Sequence, residues 1–532
     1  MSAGSTRAEP RQVRTEYVEV IALVLVAVLL SAYALLRYGG LWGETDTRDF
    51  TASIRAVLDT GQLVPGSQYH VYPNGFGYQA LAVFLIELGG VTLSTFQIYG
   101  ATLLMPWLVI PAWLLYREWT GSNRGATLAT AILFVQPEFL FPILRGTHEK
   151  FTRGLMLCCL YLLVRSIRSP QRPGRFVGLV LAFDVAALSL NTFNNLFGSS
   201  FIAATGLALV LTWLALRVNR NLSRPTGRVF RRLLYATGTS MILGILFTTY
   251  LYPPAHHDLL VVKDVWGRLA ALLLNSRTTA SNPYAVVSIG WISIPVYIAV
   301  SIADWILLFG SSAIWLAQTI RWLRGGWQRL ETDALLLWAF YGAFAFMSAL
   351  SIVVDVSGAL SGNLQQRIYP SFAMVAAPLI ATWLLAWKPQ HVASRRLVTT
   401  SVWAGIGVVA ILSTLKATNE PLLSNKWLFY EPGEMYAVSW ADANLPGRLL
   451  WVGYDERLPT AVDIRTGLRP LSVGLILDRS RTDVRDFLVS DVTRARAVRL
   501  AQSLPIRADD FVTFDDGQTQ ILHRRPHTPF QR

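Results

Sequence analysis

Long apolar runs separated by short polar segments occupy the first 416 residues of the chain. A helix needs about 20 residues to cross roughly 30 Å of hydrocarbon. Eleven runs are placed as crossings, at Tyr17–Arg37, Thr95–Tyr116, Gly125–Ile143, Thr152–Val164, Phe176–Leu190, Ser200–Leu216, Leu233–Leu251, Ala285–Leu308, Ala334–Val354, Ile368–Trp387 and Leu397–Leu415. The pattern predicts an α-helical polytopic membrane protein of about eleven transmembrane helices, with its two termini on opposite sides.

The first apolar run follows a polar arm, Met1–Arg14, as it would in a secretory signal peptide. A signal peptide also carries a cleavage site of small residues, and no such site follows Leu36. We therefore expect Tyr17–Arg37 to stay in the protein as an uncleaved first helix.

The apolar segment Gly75–Gly90 is short, and its placement decides the orientation of every later helix. If it crossed, the ten arginines in the loops 165–175 and 217–232 would face outward, against the usual excess of Lys and Arg in cytoplasmic loops. If it lies at the outer interface, 21 of the 32 basic residues before Ala417 face the cytosol. We therefore predict that it does not cross, that the amino terminus is cytoplasmic and that the tail is extracytoplasmic.

The tail after the last apolar run has the composition of a soluble domain. Residues 417–532 contain 15 basic and 15 acidic residues, so the formal net charge of +14 belongs to the membrane part, 1–416. A turn is predicted at Asp515-Asp516-Gly517. Around it the tail reads as a small α/β domain, with helices at Met435–Asn444, Asp483–Leu488 and Val492–Leu504, a strand at Leu449–Gly453, and a hairpin of Phe511–Phe514 with Thr519–His523.

Composition narrows the class of protein further. Hydrophobic residues make up 53% of the chain and charged residues 15%, whereas soluble domains average about 25% charged residues. This excludes a disordered chain and argues against an ordinary soluble enzyme. Membrane orientation explains the basic surplus, so no nucleic-acid partner is inferred. The only cysteines, Cys158 and Cys159, are adjacent within an apolar run, a pattern that indicates neither a disulfide framework nor a Cys-based metal site.

Three carboxylates, Glu44, Asp46 and Asp49, lie within six residues at the start of the first outer loop, 38–94. A helical pattern of apolar residues follows them. One interpretation is structural, a solvated helix start with Asp46 or Thr47 as its N-cap. The other is catalytic, because the positive end of a helix dipole favours a carboxylate that can accept a proton.

A second polar cluster lies between the third and fourth predicted crossings. It contains Arg145, His148, Glu149 and Lys150, with Arg153 one helical turn later. An imidazole and a carboxylate are suited to a divalent cation, and the basic side chains are suited to a phosphate. The alternative is that these long side chains only reach for the membrane interface.

Two further polar residues are notable for their position. Arg367 opens the tenth predicted helix from outside, where the positive-inside bias makes Arg uncommon, and we interpret it as a contact for an anionic lipid or a phosphate. Asp184 lies within the fifth crossing, where a carboxylate is costly. The sequence identifies no partner for it.

In organisation the chain resembles the GT-C glycosyltransferase superfamily, which includes protein O-mannosyltransferases, aminoarabinose transferases and the catalytic subunits of oligosaccharyltransferases. The resemblance rests on the order of an acidic motif in the first outer loop (Glu44-Thr45-Asp46), a Tyr72–Gly75 segment before an interfacial helix, a second polar motif (Thr147-His148-Glu149), Arg-tipped inner loops and a soluble outer tail. It departs from the family in having Asp46-Thr47 where many members have Asp-Glu, and from the oligosaccharyltransferase subunits in lacking a Trp-Trp-Asp motif in the tail.

The resemblance implies transfer of a sugar from a polyprenyl-phosphate donor to an acceptor on a glycan, lipid or protein. Asp46 would be the general base, with Glu44 and Asp49 as the other candidate acids. The donor phosphate would contact Arg145, Lys150, Arg153 and Arg367. A divalent cation, Mn, Mg or Zn, would be held by Asp46, His148 and Glu149.

Two other classes of function remain open at this point. A transporter or flippase for lipid-linked sugars would also have many helices and outward-facing cations, although transporters commonly have internal repeats and polar sites near the midplane. A non-catalytic membrane scaffold would use the tail to bind partners. For all three classes, we expect a multi-pass protein of a prokaryotic plasma membrane.

The predicted topology can be tested by labelling single cysteines in a variant without Cys158 and Cys159. Cysteines at Ser67 and Asp516 should react with an impermeant reagent added outside, and a cysteine at Gly121 should react only from inside, because the basic loops hold that side in the cytosol. Outside labelling of Gly121 would contradict the topology and move the proposed site.

Overall fold

The computed structural model describes residues 10–38, 45–64, 72–168, 173–218, 224–273, 294–325, 332–356, 364–386, 392–418, 430–453, 458–459, 470–477, 483–499 and 502–525. The first loop contains two helices, α2 (Thr45–Thr60) and α3 (Gly77–Gly89), that pack on each other. The helices of the membrane part are α1 (Pro10–Tyr38), α2 (Thr45–Thr60), α3 (Gly77–Gly89), α4 (Leu93–Thr120), α5 (Asn123–Phe134), α6 (Pro137–Leu144), α7 (Glu149–Arg168), α8 (Pro173–Phe193), α9 (Asn195–Val218), α10 (Arg224–Leu246), α11 (His256–Leu273), α12 (Ile294–Val300), α13 (Ile302–Arg324), α14 (Thr332–Val356), α15 (Leu364–Ala386) and α16 (Val392–Ala417).

Nine helices among the described residues are long and apolar enough to cross a membrane, and α5 with α6 makes a tenth if the pair is one crossing. The remaining predicted crossing, Thr152–Val164, lies in α7, a helix of 20 residues with charged side chains near both ends. Most of α7 is buried, so its polar groups meet protein rather than lipid. The expected count of about eleven is reached only when the bent pair and this polar helix are included.

The apolar helix α3 has 13 residues, a length of about 20 Å at 1.5 Å per residue. That is too short for roughly 30 Å of hydrocarbon. The length agrees with the prediction that Gly75–Gly90 does not cross, and the direction of the later helices stays a prediction.

The third predicted crossing, Gly125–Ile143, is not a single straight helix. Its two parts, α5 and α6, meet at an angle of 74°. Pro137 begins α6 and lacks the backbone N–H that would continue the helical ladder, so the chain breaks at Gln136. After the break α6 ends at Leu144, directly before Arg145, and this places the second polar cluster.

The eighth predicted crossing, Ala285–Leu308, lies partly outside the described residues, because 274–293 are not among them. In the part that the structure describes, the apolar span here is Ile302–Arg324. Ser311 and Thr319 give this stretch a polar character in the sequence. In the folded chain their hydroxyls donate to carbonyl oxygens one turn earlier in the same helix, which removes most of the cost of burying them.

Helix α15 lies at the centre of the bundle, and its residues 368–381 are all buried. It packs against α5, α14 and α13. A row of buried small side chains, Ala373, Ala376 and Ala377 among them, allows the neighbouring helices to approach closely. This packed centre supports the helix ends that carry the polar cluster.

A buried ion cluster attaches the last helix, α16, to the bundle. Lys416 Nζ lies 2.9 Å from Glu138 Oε1 in α6 and 3.2 Å from Asp304 Oδ2 in α13. Charges within a membrane protein are costly unless they are paired. The cluster therefore holds the end of α16, and with it the start of the tail, against the bent helix.

The tail contains two helices, α17 (Pro432–Asn444) and α18 (Asp491–Arg499), and a five-stranded sheet. The strands are β1 (Leu449–Trp451), β2 (Gly474–Ile476), β3 (Asp486–Ser490), β4 (Phe511–Asp515) and β5 (Thr519–His523). Their order in the sheet is β2-β1-β3-β5-β4. The strands β2, β1 and β3 are parallel, and β3, β5 and β4 are antiparallel neighbours.

The predicted hairpin and the α/β class of the tail are confirmed, but one predicted helix is wrong. Residues Asp483–Leu488 do not form a helix, because Asp486–Ser490 is the central strand β3, buried along its whole length. A strand buried on both faces has no alternation of polar and apolar residues, so periodicity cannot separate it from a short helix. The predicted helix Val492–Leu504 is shorter in the structure and ends at Arg499.

Candidate active site at the end of the bent helix

Helix α2 places the acidic motif of the first loop. It begins at Thr45, so Asp46 lies in its first turn, where the free N–H groups and the helix dipole favour an anion. Phe50 and Ile54 are buried on one face, while Arg48 and Asp49 are exposed. The side chain of Asp46 is 43% exposed, so it can reach both solvent and the protein. Glu44 lies outside the described residues.

The guanidinium of Arg145 lies between two carboxylates. Its Nη2 is 2.7 Å from Glu149 Oε2, and its Nη1 is 3.6 Å from Asp46 Oδ2. The side chain is only 10% exposed and also stacks on the ring of Phe141, with its central carbon 4.6 Å from the ring centroid. The structure thus brings together Asp46 and Glu149, which come from separate parts of the sequence, through one cation.

The ion pair has a clear effect on Glu149. Burial is the largest single influence and raises the pKa of this carboxyl group, but the charges of Arg145, His148 and Arg153 and the hydrogen bond from Arg145 together outweigh it. The pKa falls from 4.5 to about 2. Glu149 is therefore an anion at neutral pH and cannot act as a proton donor there.

His148 is buried and neutral. Burial is the main cause that lowers its pKa from 6.5 to about 3. Asn194 Nδ2 lies 2.7 Å from His148 Nε2 and 3.0 Å from the Tyr72 hydroxyl. The amide nitrogen can only donate, so Nε2 accepts and the ring proton lies on Nδ1. Phe50 lies against the ring, with 4.8 Å between centroids.

The two basic residues at the start of α7, Lys150 and Arg153, are fully buried and bind neighbouring groups. Lys150 Nζ donates to the carbonyl oxygens of Arg145 and Thr147, so it holds the turn between α6 and α7. Arg153 donates to Ser371 Oγ at 2.7 Å and to the carbonyl oxygen of Arg367 at 2.6 Å. These bonds connect α7 to the start of α15, and they leave the Arg367 side chain exposed.

Several buried donor groups in this region, among them Thr147 Oγ1, His148 Nδ1 and Arg153 Nε, have no hydrogen-bond partner among the described residues. An unpaired buried polar group costs about 1–3 kcal/mol. A region with several such donors and buried cations is chemically suited to an anion with many acceptor oxygens, such as a phosphate.

The segment Tyr72–Gly75 is held against the connection between α8 and α9. Asn195 N donates to the Asn74 carbonyl oxygen at 2.6 Å, and the Tyr252 hydroxyl donates to the Tyr72 carbonyl oxygen. Gly75 has φ +154°, and a Cβ there would lie 2.1 Å from the Thr192 carbonyl oxygen. Only glycine allows this close approach.

Asn194 and Asn195 belong to the candidate site by their hydrogen bonds, and the sequence analysis missed both. A signal was present, because asparagines at 191, 194 and 195 interrupt the apolar sequence between the fifth and sixth predicted crossings. Such a polar group between two membrane helices is costly unless it makes specific hydrogen bonds. Here Asn194 fixes the tautomer of His148.

The three predicted metal ligands do not fit a bound cation. Arg145 pairs with both Asp46 and Glu149, and Nε2 of His148 accepts from Asn194. Across the described ranges, no group of three or more His, Cys, Asp or Glu side chains is arranged to hold a metal ion. No catalytic step is therefore assigned to a metal here.

Comparison with solved structures identifies the fold. The chain is similar to the oligosaccharyltransferase AglB from Archaeoglobus fulgidus in complex with an inhibitory peptide and a dolichol-phosphate, with a TM-score of 0.55 and 11% identity over 96% of this chain and 75% of that one. It is also similar to ArnT from Cupriavidus metallidurans bound to undecaprenyl phosphate, with a TM-score of 0.50 and 15% identity over 94% of this chain and 97% of that one. A structure of the same archaeal enzyme contains Zn and sulfate.

Sequence comparison adds less. No protein-family model matches the chain. The LHFPL tetraspan subfamily member 7 protein of Xenopus tropicalis is 26% identical over 142 residues, which is 25% of this chain and 68% of that protein. The structural likeness covers nearly the whole chain and confirms the predicted fold: this is a helical membrane protein with the fold of AglB and ArnT and with a small α/β tail.

The burial of neutral His148 predicts a specific sensitivity to acid. Its pKa is about 3 when folded and about 6.5 when unfolded. Between these values only the unfolded chain binds the proton, so the folded state loses stability as pH falls below about 6.5, by about 2 kcal/mol at pH 5. His148→Gln keeps an acceptor for Asn194 without this proton. Its unfolding temperature should fall less between pH 7.5 and 5 than that of the wild type.

The exposed histidine His256 provides the control, and His256→Gln should show the acid sensitivity of the wild type. Equal acid sensitivity of His148→Gln and the wild type would contradict the assignment of a buried neutral imidazole at this position.

Proposed function

We propose that this chain is a membrane glycosyltransferase that moves a sugar from a polyprenyl-phosphate donor to an acceptor hydroxyl or amide. The acceptor would be a glycan, lipid or protein group on the extracytoplasmic face. Two proteins of the same fold, AglB and ArnT, have been solved with a dolichol-phosphate and with undecaprenyl phosphate. Their ligands support a lipid-linked donor for this chain.

The observation that carries the proposal is the position of Asp46. It is the half-exposed carboxylate of the first loop that lies beside the buried cation Arg145. Asp49 is exposed next to Arg48, which suits a solvated surface position. A general base needs access to the acceptor and a fixed place near the reacting centre, and Asp46 meets both requirements.

The proposed reaction is a displacement at the anomeric carbon. An oxygen of Asp46 takes the proton of the acceptor hydroxyl or amide, and the acceptor atom forms a bond to the anomeric carbon. The bond from that carbon to the phosphate oxygen breaks, and its electron pair leaves with the polyprenyl phosphate. The configuration at the carbon is inverted because attack and departure take place on opposite faces.

Cations near the leaving phosphate stabilise its charge. Arg367 is the exposed cation near this region, and Arg153 binds its backbone carbonyl. Arg145 lies next to Asp46. Lys150 acts indirectly, since its ammonium holds the turn that carries Arg145 and Thr147. Arg367 would therefore contact the phosphate directly, whereas Arg153 and Lys150 would support the residues that do so.

The proposal assigns catalysis to 1–416 and an extracytoplasmic position to 417–532. The prenyl tail of the donor would approach from the bilayer between helices. We place the protein in the plasma membrane of a prokaryote, with the amino terminus cytoplasmic. A flippase is the second candidate. The glycosyltransferase is favoured because the proposed acid and cations lie at helix ends, whereas transporters commonly bind substrates near the membrane midplane.

Substitution of the acids in the first loop tests the proposal. Loss of a general base commonly reduces a rate by about 10²–10⁴-fold, so Asp46→Asn should nearly abolish sugar transfer. Binding of polyprenyl phosphate, measured by the shift in unfolding temperature, should stay close to that of the wild type. Asp49→Asn is the matched control on the same helix and should mainly lower stability.

The same experiment includes Glu44→Gln. If Asp46→Asn turns over normally while Asp49→Asn or Glu44→Gln does not, then the base is misassigned. Normal turnover in all three variants would refute the mechanism.

A further inference from the structure

Arg145, Asp46 and Glu149 form a bridge with a carboxylate at each side of one cation. The inner contact, to Glu149, is 2.7 Å and buried, and the outer contact, to the more exposed Asp46, is 3.6 Å. Phe141 supports the plane of the guanidinium. The backbone carbonyl of Arg145 is bound by Lys150. The cation is thus fixed from several directions, while Asp46 is the adjustable partner.

Two facing carboxylates are also a common arrangement for a divalent cation in proteins. A guanidinium differs from a metal ion because it keeps its charge at every physiological pH and donates up to five hydrogen bonds in one plane. It cannot be removed by a chelator. The point between Asp46 and Glu149 is taken by this group, and His148, the third predicted ligand, has its Nε2 directed to Asn194.

We propose that Arg145 fills the place of a divalent cation between Asp46 and Glu149, and that the site works without a bound metal. Arg145 is a positioning residue for Asp46. The proposal rests on the proposed glycosyltransferase function for its activity readout only. Its structural part, a guanidinium that excludes a metal from two carboxylates, stands independently of the reaction.

The ion pair with Arg145 gives Glu149 a role in the proposed arrangement. Without Glu149 the guanidinium would be free to turn fully toward Asp46 and form a closer pair. A close pair would withdraw Asp46 from the acceptor, because a carboxylate held by two N–H groups has fewer free lone pairs. Glu149 therefore holds the cation at a distance from the base.

The test is the substitution Arg145→Ala, with Mn²⁺ as the probe. Removal of the guanidinium leaves two carboxylates without the cation that lies between them, so the variant should gain a Mn²⁺ site that the wild type lacks. We expect a rise of several degrees in the unfolding temperature of Arg145→Ala with millimolar Mn²⁺, together with bound Mn²⁺ in its electron paramagnetic resonance spectrum. If Arg145→Ala does not fold, Arg145→Gln allows the same measurement.

Two controls localise the effect. Arg153→Ala removes another buried guanidinium from the same region but leaves Arg145 in place, so it should gain no Mn²⁺ site. The double variant Arg145→Ala with Glu149→Gln has one carboxylate less and should lose the gained affinity. A Mn²⁺ response that persists in the double variant would contradict the proposed position of the site.

Activity provides the second readout. The wild type should keep its full transfer rate after exhaustive chelation, and metal analysis should find less than stoichiometric metal. Arg145→Ala should lose about 10²-fold or more in rate, and added methylguanidinium should restore part of it.

Stoichiometric metal in the wild type that Asp46→Asn releases would overturn the proposal. So would an Arg145→Ala variant that gains no Mn²⁺ site. If no donor supports transfer, the proposed function fails, while the Mn²⁺ measurements still decide the role of Arg145.

Discussion

The buried ion pair between Arg145 and Glu149 is the interaction on which the candidate site depends. It closes the turn between the bent helix α6 and α7, with 2.7 Å between the charged atoms. Removal of one partner from a buried pair typically costs about 3–5 kcal/mol, because the other charge is left unpaired. The same guanidinium reaches Asp46 in α2. Three helices that are separate in the sequence therefore meet at one cation.

The bend at Gln136 and the asparagines after α8 make this meeting possible. Pro137 ends one helix and starts the next, so α6 ends where Arg145 can face the first loop. Asn194 joins Tyr72 to His148, and Gly75 lets the first loop pack directly on Thr192. Each of these polar contacts is buried or half-buried, where it is stronger than in water and costly to leave incomplete. The site is therefore prepared before any substrate binds.

The sequence predicted well those features that depend on a single segment. Apolar runs located most membrane helices, and Asp515-Asp516-Gly517 located the hairpin of the tail. Prediction from the sequence failed where surrounding residues determine the hydrogen bonding or the burial of a segment. Ser311 and Thr319 look polar but bond within their own helix. Asp486–Ser490 is a central strand that pairs with β1 and β5 and is buried along its whole length. The same holds for the candidate site. The sequence placed Arg145, His148 and Glu149 in one cluster, but their contacts with Asp46 and Asn194 arise only from tertiary packing.

Transfer of a sugar from a lipid-linked donor is the central claim, and it can be measured directly. Purified protein in lipid nanodiscs would be incubated with a panel of polyprenyl-phosphate sugars carrying a radiolabel in the sugar, and the lipid products would be separated. We expect at least one donor to lose its sugar and yield free polyprenyl phosphate at a rate that depends on the protein. If every donor stays intact, while the protein in closed vesicles moves the same lipids across the bilayer, the chain is a flippase and the account is wrong.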